Sequence, residues 1–184
     1  MTLYINCCIR EDSRTDRLAR ALIKKLGDRT EEVRPAQMGL MPLTPEVLQK
    51  RERALRTGDH SDPMFDIAKQ FAAADTVVIG APYWDLSFPA ALKVYLENIY
   101  VQGIVTRFEP DGTQTGLCRA RKLWYVTTAG GKYVPAYGYG YVARLLDEAF
   151  GIRDAELVYA ENLDLYGNDP EQILAGAMAR YGLC

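Results

Sequence analysis

The segment TVVIGAPYWDLSFP, residues 76–89, decides the fold class of this chain. Residues 76–81 form an apolar, β-branched run that predicts a buried strand. A helix is predicted from about residue 88 onward, where apolar side chains recur at helical spacing. A strand that runs through Pro82, Tyr83 and Trp84 directly into a helix indicates a ligand loop at the carboxyl end of a parallel strand. Two adjacent aromatic residues there suggest a flat, conjugated ligand.

Short β-rich runs alternate with longer helical stretches along the rest of the chain. The predicted strands are residues 3–8, 31–34, 76–81, 122–128 and 155–160. Helices are predicted at 14–26, twice within 44–74, from 88, up to 150 and after 170. Residues 103–108 are β-prone and precede a turn at 109–112. This alternation predicts a doubly wound three-layer α/β sandwich, with a five-stranded parallel sheet in the flavodoxin-like order 2-1-3-4-5 and one domain over residues 1–184.

The composition argues against several classes of function. Hydrophobic residues at 48% and charged residues at 25% are ordinary for a globular protein. The formal net charge of −2 gives no electrostatic reason to expect nucleic acid or an anionic membrane as a partner. No apolar run approaches membrane-spanning length and no signal peptide is visible, so we expect a cytoplasmic protein.

The cysteines and the single histidine form no metal-binding pattern. The four cysteines are Cys7, Cys8, Cys118 and Cys184, without a CxxC pair or zinc spacing. Cys7 and Cys8 end an apolar strand, where a buried thiol behaves as a small hydrophobic side chain. His60 falls in a polar connection between helices, which favours a surface position over a catalytic one. We therefore expect reduced thiols and no metal.

The loop after the first strand, residues 9–16, carries hydroxyl groups and an arginine at the start of a helix. Ser13, Arg14 and Thr15 could hold a phosphate monoester, because free backbone N–H groups and the helix dipole favour an anion there. Plain N-capping by Asp12 or Ser13 explains this loop equally well when it is taken alone. The absence of the Walker and Gly-x-Gly-x-x-Gly patterns argues against ATP and against a Rossmann dinucleotide site.

Two further loops are expected at the same edge of the sheet. Tyr83 and Trp84 could pack on a flat ring, or they could be ordinary core residues. Gly130 and Gly131 could let the backbone approach a planar ligand, or they could form a tight turn that needs positive φ. Taken together, a phosphate pocket, an aromatic floor and a backbone-lined rim describe a site for flavin mononucleotide (FMN).

The order of these segments resembles that of the FMN-dependent NAD(P)H azoreductase and quinone reductase family, which has the flavodoxin-like fold. The resemblance is clearest from residue 77 to 131. It consists of a strand ending in Ala-Pro, an aromatic loop, LKVY at 92–95, the segment 103–108 and TTAGG at 127–131. Residues 13–15 fall where the family has a Ser-x-Ser phosphate loop.

The resemblance implies which residues bind the cofactor and substrate. It places the FMN phosphate at Ser13, Arg14 and Thr15. It places the flavin ring at Pro82, Tyr83, Trp84, Asp85 and Leu86. It places the pyrimidine edge at Thr128, Ala129, Gly130 and Gly131. Relatives are homodimers, in which an aromatic matching Phe108 borders the substrate pocket from the partner's side, and loop position adds Tyr133 to this pocket.

Three features depart from the family pattern. Asp85 replaces the usual asparagine, and its carboxylate would disfavour an anionic reduced flavin unless it points away or is protonated. Ala129 replaces an arginine that is found in several relatives. The loop at residues 132–141, with its four tyrosines, also differs. These differences leave the substrate preference open.

The activity implied by the resemblance is ping-pong hydride transfer from NADH or NADPH to FMN, and then to a quinone, azo or nitroaromatic acceptor. The cofactor supplies the chemistry, so no catalytic side chain is required. Two alternatives remain open at this point. One is a non-enzymatic flavodoxin-like electron carrier, although such carriers are usually strongly acidic. The other is a flavin-free interaction module on the same scaffold.

Overall fold

A computed structural model describes residues 1–183, so Cys184, expected to be a reduced thiol, lies outside the described residues. The strands are β1 (Thr2–Asn6), β2 (Thr30–Val33), β3 (Thr76–Gly80), β4 (Thr106–Phe108), β5 (Gln114–Gly116), β6 (Lys122–Thr128) and β7 (Asp154–Ala160). The helices are α1 (Arg14–Leu26), α2 (Pro45–Thr57), α3 (Asp66–Ala73), α4 (Ala90–Ile99), α5 (Tyr139–Leu145) and α6 (Pro170–Arg180).

Five strands form one parallel sheet in the order β2-β1-β3-β6-β7. Ile79 of β3 lies opposite Ile5 of β1 and Tyr125 of β6, so these apolar strands pair in the middle of the sheet. Because β6 and β7 are the fourth and fifth strands of this sheet, the predicted order 2-1-3-4-5 is confirmed. From β1 the chain adds β2 on one side of the sheet and then β3 on the other, and this reversal of strand order places a crevice at the carboxyl ends of β1 and β3.

Alternate residues of the central strand pack on opposite faces of the sheet. Val77 belongs to one buried cluster, with Leu92 of α4. Val78 belongs to a second cluster, with Leu18 of α1 and Leu174 of α6. Strands that are buried on both faces are expected to be continuously apolar, which explains the run at residues 76–81.

Helix α1, whose first turn borders the crevice, begins and ends where the sequence predicts. Ser13 caps its amino end by accepting a hydrogen bond from the backbone N–H of Asp16 at 3.3 Å. Gly27 ends it with a left-handed φ of 72°. These local signals fix the position of residues 13–15 relative to the sheet.

A hairpin of β4 and β5 lies outside the main sheet. The predicted turn at residues 109–112 is present, and Gly112 donates to the carbonyl of Glu109 at 2.9 Å. The sequence did not predict β5, because its three residues, Gln-Thr-Gly, show no apolar alternation. β4 is correspondingly shorter than the β-prone segment 103–108.

The other differences from the predicted elements are small. The first strand ends at Asn6 rather than residue 8, and α4 begins after Pro89 rather than at residue 88. The loop after β6 is shorter than residues 129–140, because α5 already begins at Tyr139 and continues as a π-helical turn at Leu146–Phe150. Within residues 1–183 we find no helix with the length and apolar character that crossing a bilayer requires.

Candidate functional site

The carboxyl ends of β1, β3 and β6 open into a cleft of about 590 Å³. This volume lies in the range of small-molecule sites. The cleft is lined by Ile9, Arg10, Glu11, Asp12, Ser13, Arg14, Thr15, Pro82, Tyr83, Trp84, Thr128, Ala129, Gly130, Leu163 and Asp164. The three loops singled out in the sequence therefore meet in one cleft, together with a segment that follows β7.

The amino end of α1 forms one end of the cleft. Ser13 is 8% exposed and its hydroxyl caps the helix, so the capping interpretation of this loop is correct for Ser13. Capping satisfies only the N–H of Asp16, and the first-turn N–H groups of Arg14 and Thr15 have no acceptor within the helix. These groups and the positive end of the helix dipole favour an anion.

Two threonines connect this end of the cleft to the sheet. The hydroxyl oxygens of Thr15 and Thr128 lie 2.7 Å apart and share a hydrogen bond. Thr15 is 1% exposed, and Thr128 is the last residue of β6. The pair holds the first turn of α1 against the start of the loop that follows β6.

The buried side chain of Asn6 supports the loop after β1. Its amide nitrogen donates to Asp16 Oδ1 at 3.0 Å and to Glu32 Oε1 at 2.9 Å, and its amide oxygen accepts from the N–H of Cys8 at 2.9 Å. Burial alone would raise the pKa of Glu32, but the hydrogen bonds from Asn6 and Arg20 lower it below 4.5. Asn6 was not predicted as a site residue, although a polar residue at the end of an apolar strand is a sequence signal for such a role.

The loop after β3 makes a tight turn beside the cleft. Trp84 and Ser87 exchange two backbone hydrogen bonds of 3.1 and 2.8 Å, and the residues between them have positive φ, 50° at Asp85 and 67° at Leu86. This is the geometry of a two-residue hairpin turn, which usually uses glycine or asparagine. Ser87 Oγ also donates to the carbonyl of Tyr137 at 2.7 Å and ties the turn to the neighbouring loop.

The turn separates the residues that were predicted to contact a flavin ring. Pro82, Tyr83 and Trp84 line the cleft, and Trp84 is 36% exposed. Asp85 and Leu86 lie at the exposed tip and are not among the residues that line the cleft, so their contact with a flavin ring stays a prediction. The Asp85 side chain is exposed to solvent.

Tyr133 supports the floor of the cleft from behind. It is 5% exposed, and its backbone N–H donates to Glu161 Oε2 at 2.7 Å. Its ring meets the ring of Tyr83 edge-on, and burial raises the pKa of its hydroxyl to about 12. Tyr133 packs against Tyr83 and is not among the residues that line the cleft, so its place in the substrate pocket stays a prediction.

The two glycines after β6 differ in how much space surrounds them. Neither Gly130 nor Gly131 has a positive φ, so the tight-turn interpretation is wrong. A Cβ atom at Gly130 would lie 2.4 Å from Asp164 Oδ2, whereas a Cβ at Gly131 would meet no described atom within 4 Å. Ala129 and Gly130 line the cleft, but Gly131 lies outside the lining.

Leu163 and Asp164 line the cleft but were not predicted from the sequence. Asp164 Oδ1 accepts a hydrogen bond from Arg14 Nη1 at 2.7 Å, although the two residues are 150 positions apart. The backbone N–H of Asp164 donates to the carbonyl of Gly130 at 2.8 Å. The segment after β7 contains no motif that would have placed it against α1.

Phe108 lies outside the cleft of its own chain. It is 49% exposed on the β4–β5 hairpin.

The cysteines that were expected to be buried are buried. Cys7 and Cys8 are 1% and 6% exposed. Burial raises the pKa of the Cys8 thiol to about 11, so this thiol stays protonated at neutral pH. His60 packs edge-on against Phe65 with ring centroids 5.5 Å apart, in the connection between α2 and α3.

Comparison with known proteins identifies the family. A family model described as a flavodoxin-like fold matches residues 1–183. The chain belongs to this family. Within the flavodoxin-like family, an FMN-dependent NADH:quinone oxidoreductase of Coprothermobacter proteolyticus is 31% identical over 179 residues, 91% of this chain and 88% of that protein. This match confirms the resemblance to the azoreductase and quinone reductase family that the sequence indicates.

Two further matches agree with this flavodoxin-like assignment. FMN-dependent NADH:quinone oxidoreductase 2 of Clostridium acetobutylicum is 41% identical over 118 residues, 61% of this chain and 58% of that protein. That alignment thus spans little more than half of the relative. The crystal structure of azoreductase from Bacillus anthracis str. Sterne has a TM-score of 0.78 at 22% identity, over 97% of this chain and 95% of that one, which shows a common fold.

Proposed function

We propose that this chain is an FMN-dependent oxidoreductase that oxidises NADH and reduces a quinone, azo or nitroaromatic acceptor. One observation carries the proposal. The cleft brings together a helix amino end, an exposed tryptophan and the backbone of the loop after β6. The chain that forms this cleft is 31% identical, over nearly its whole length, to a protein named FMN-dependent NADH:quinone oxidoreductase. The two core clusters, on opposite faces of the sheet, support the three-layer arrangement in which such a cleft forms.

The residues present fit FMN. Ser13, Arg14 and Thr15 surround the free N–H groups at the start of α1, which suits a phosphate monoester. Pro82 and Trp84 offer a flat apolar surface to a planar ring. Ala129 and Gly130 bring the backbone of the loop after β6 to the edge of the cleft, where a planar ligand can approach it.

We assign the cofactor contacts accordingly. The phosphate would be held by Ser13, Arg14 and Thr15, the ring by Pro82, Tyr83 and Trp84, and the pyrimidine edge by Thr128, Ala129 and Gly130. Three predicted residues, Asp85, Leu86 and Gly131, do not line the cleft. We propose that they contact the cofactor, if at all, only through backbone atoms of their loops.

Bound FMN would supply hydride transfer, and this chain's residues would bind and orient the ring. The hydrogen bond between Thr15 and Thr128 holds the phosphate end and the rim at a set separation. Tyr133 holds Tyr83 from behind, and the exposed face of Trp84 would exclude water from one side of the ring. No side chain is required as a nucleophile or general base.

The decisive experiment is anaerobic titration of the purified, flavin-loaded protein with NADH and, separately, NADPH. The proposal expects a flavin absorption band that bleaches on addition of NADH and returns with a quinone. Flavin that binds but is reduced by neither nucleotide would indicate an electron carrier. A protein that takes up no added FMN would contradict both flavin functions and leave an interaction module.

Two finer points are tested separately. The ping-pong order predicts parallel double-reciprocal plots when NADH is varied at several acceptor concentrations, and intersecting lines would contradict it.

Trp84→Ala should raise the Kd for FMN by about tenfold or more, the scale of a lost aromatic contact. Tyr166→Ala is the matched control, because Tyr166 is fully exposed and does not line the cleft.

We also propose a homodimer in which Phe108 of one subunit borders the cleft of the other. Phe108 is exposed on a hairpin that does not line its own cleft. An apolar groove of about 730 Å³ beside α4 and α5, lined in part by Phe88, Tyr137 and Tyr141, offers a surface for association. Sedimentation should give a dimer, and Phe108→Ala should lower kcat/KM for the acceptor while leaving the Kd for FMN within twofold. A monomeric active enzyme would contradict this arrangement.

A further inference from the structure

We infer that Asp164 competes with a bound phosphate for the guanidinium of Arg14, and that it thereby limits how strongly the cleft prefers phosphorylated over unphosphorylated ligands. The inference rests on the proposed function in that it concerns the phosphate end of the same site. Asp164 contacts Arg14 and Gly130, which both lie far from it in the sequence.

The pair lies at the rim of the cleft. Arg14 Nη1 and Asp164 Oδ1 are 2.7 Å apart, and their side chains are 33% and 64% exposed. Both residues line the cleft, so an anion at the start of α1 approaches the same guanidinium. A guanidinium carries five N–H donors in a rigid plane, and a neighbouring carboxylate takes up some of those that a phosphate would use.

The position of Asp164 is set by Arg14 and also by Gly130, in the loop after β6. Its backbone N–H donates to the carbonyl of Gly130 at 2.8 Å. Its other carboxylate oxygen, Oδ2, lies where a side chain at residue 130 would begin, 2.4 Å from a Cβ built there. Gly130 therefore leaves room for the Asp164 carboxylate between the loop after β6 and α1.

The charged side chains that line the cleft weaken the attraction of the α1 amino end for a phosphate dianion. Two arginines, Arg10 and Arg14, line the cleft, against three acids, Glu11, Asp12 and Asp164. A phosphate monoester carries about −1.5 to −2 charges at neutral pH. The Asp164 carboxylate both repels such a group and holds the arginine that would bind it, although exposure to solvent weakens the interaction.

The test compares Asp164→Asn with the matched control Asp12→Asn in the full-length protein. Each variant removes one negative charge from the lining of the cleft, but only the first removes the carboxylate that contacts Arg14. Dissociation constants are measured by flavin fluorescence for FMN and for riboflavin, which lacks the phosphate. Inorganic phosphate is titrated separately by following the thermal unfolding midpoint.

We expect Asp164→Asn to lower the Kd for FMN by about two- to fivefold, the scale of a partly exposed ion pair, and to leave the Kd for riboflavin unchanged. Phosphate should stabilise this variant at lower concentration than the wild type. Asp12→Asn should change the ratio of the Kd for FMN to the Kd for riboflavin by a smaller factor. In Gly130→Ala the added methyl group would displace the Asp164 carboxylate, so this ratio of dissociation constants should fall, as it does in Asp164→Asn.

Three results would overturn the inference. Weaker FMN binding by Asp164→Asn would show that Asp164 orients Arg14 toward the phosphate instead. If the Kd values for FMN and riboflavin changed by the same factor, Asp164 would act on the part of the ligand that both flavins share and not on the phosphate. If Asp164→Asn and Asp12→Asn changed the Kd for FMN equally, the effect would come from the net charge of the cleft and not from the contact with Arg14. If the wild type binds neither flavin, the proposed function fails, and the phosphate titration alone decides the inference.

Discussion

The ring of Tyr83 meets the ring of Tyr133 edge-on, with centroids 4.8 Å apart and an angle of 84° between the planes. Tyr83 lines the cleft, whereas Tyr133 is buried behind it. The loop after β3 is therefore held in place by a residue of the loop after β6. Such contacts contribute about 0.5–1.5 kcal/mol beyond the area they bury.

Tyr133→Ala should destabilise the protein by about 3 kcal/mol, the range for removal of a buried aromatic side chain, and should weaken FMN binding as Tyr83 loses its support. Tyr133→Phe should cost less than about 1 kcal/mol, because it keeps the ring and loses only the long bond of 3.4 Å from the N–H of Tyr139. Urea unfolding and FMN titration measure both effects. Equal losses in the two variants would show that the hydroxyl matters more than the ring.

The pair formed by Thr15 and Thr128 should behave as a coupled unit. Thr128→Val leaves the buried hydroxyl of Thr15 without its partner, which should cost about 1–3 kcal/mol. The double variant with Thr15→Val should cost less than the sum of the single changes, because it removes both polar groups. A double-mutant cycle from urea unfolding measures the coupling. Strict additivity would mean that the two hydroxyls do not interact in solution.

Leu86 occupies a backbone conformation that L-residues avoid. Its φ of 67° should make Leu86→Gly more stable by about 0.5–1 kcal/mol, since glycine adopts this conformation without steric cost. The control is Leu165→Gly, at a leucine of similar exposure without a positive φ, which should not stabilise the protein. Free energies of unfolding in urea measure the difference. A loss of stability in Leu86→Gly would indicate that its side chain makes favourable contacts.

Gly116 anchors the hairpin that carries Phe108. A Cβ at this position would lie 2.1 Å from the backbone nitrogen of Gly151, and backbone atoms cannot move aside cheaply. Gly116→Ala should therefore cost about 3 kcal/mol by overpacking, and Gly131→Ala, which has open space, should stay within about 0.5 kcal/mol. Thermal and urea unfolding compare the two. Similar stabilities would mean that the hairpin shifts freely.

Glu32 should contribute to acid denaturation. Its folded pKa is below the ordinary value of 4.5, so its stabilising contribution is complete above about pH 4.5 and is lost as the pH falls through the folded pKa. Glu32→Gln should be less stable than the wild type at pH 7, and the gap should narrow below pH 4.5. Urea unfolding between pH 7 and pH 3 measures the gap. A gap that is independent of pH would contradict a lowered pKa.

Much of the candidate site was predictable because its parts are local. The amino end of α1 is marked by Ser13, and the carboxyl ends of β3 and β6 are marked by an Ala-Pro pair and by paired glycines. Parallel strands end at one edge of a sheet, so the convergence of these loops followed from the strand order. The side-chain directions did not follow, since they depend on backbone dihedrals inside the loops, as Asp85 and Leu86 show.

The amino-acid sequence by itself determined the alternation of strands and helices, the helix ends and the edge of the sheet at which a ligand would bind, because apolar periodicity and capping act within a few residues. Only the tertiary structure decided that Asp164 reaches Arg14 and that Tyr133 lies beneath Tyr83. It also showed that Gly130 provides space for a carboxylate. Each of these depends on how segments from different strands pack together, and no local pattern encodes that packing.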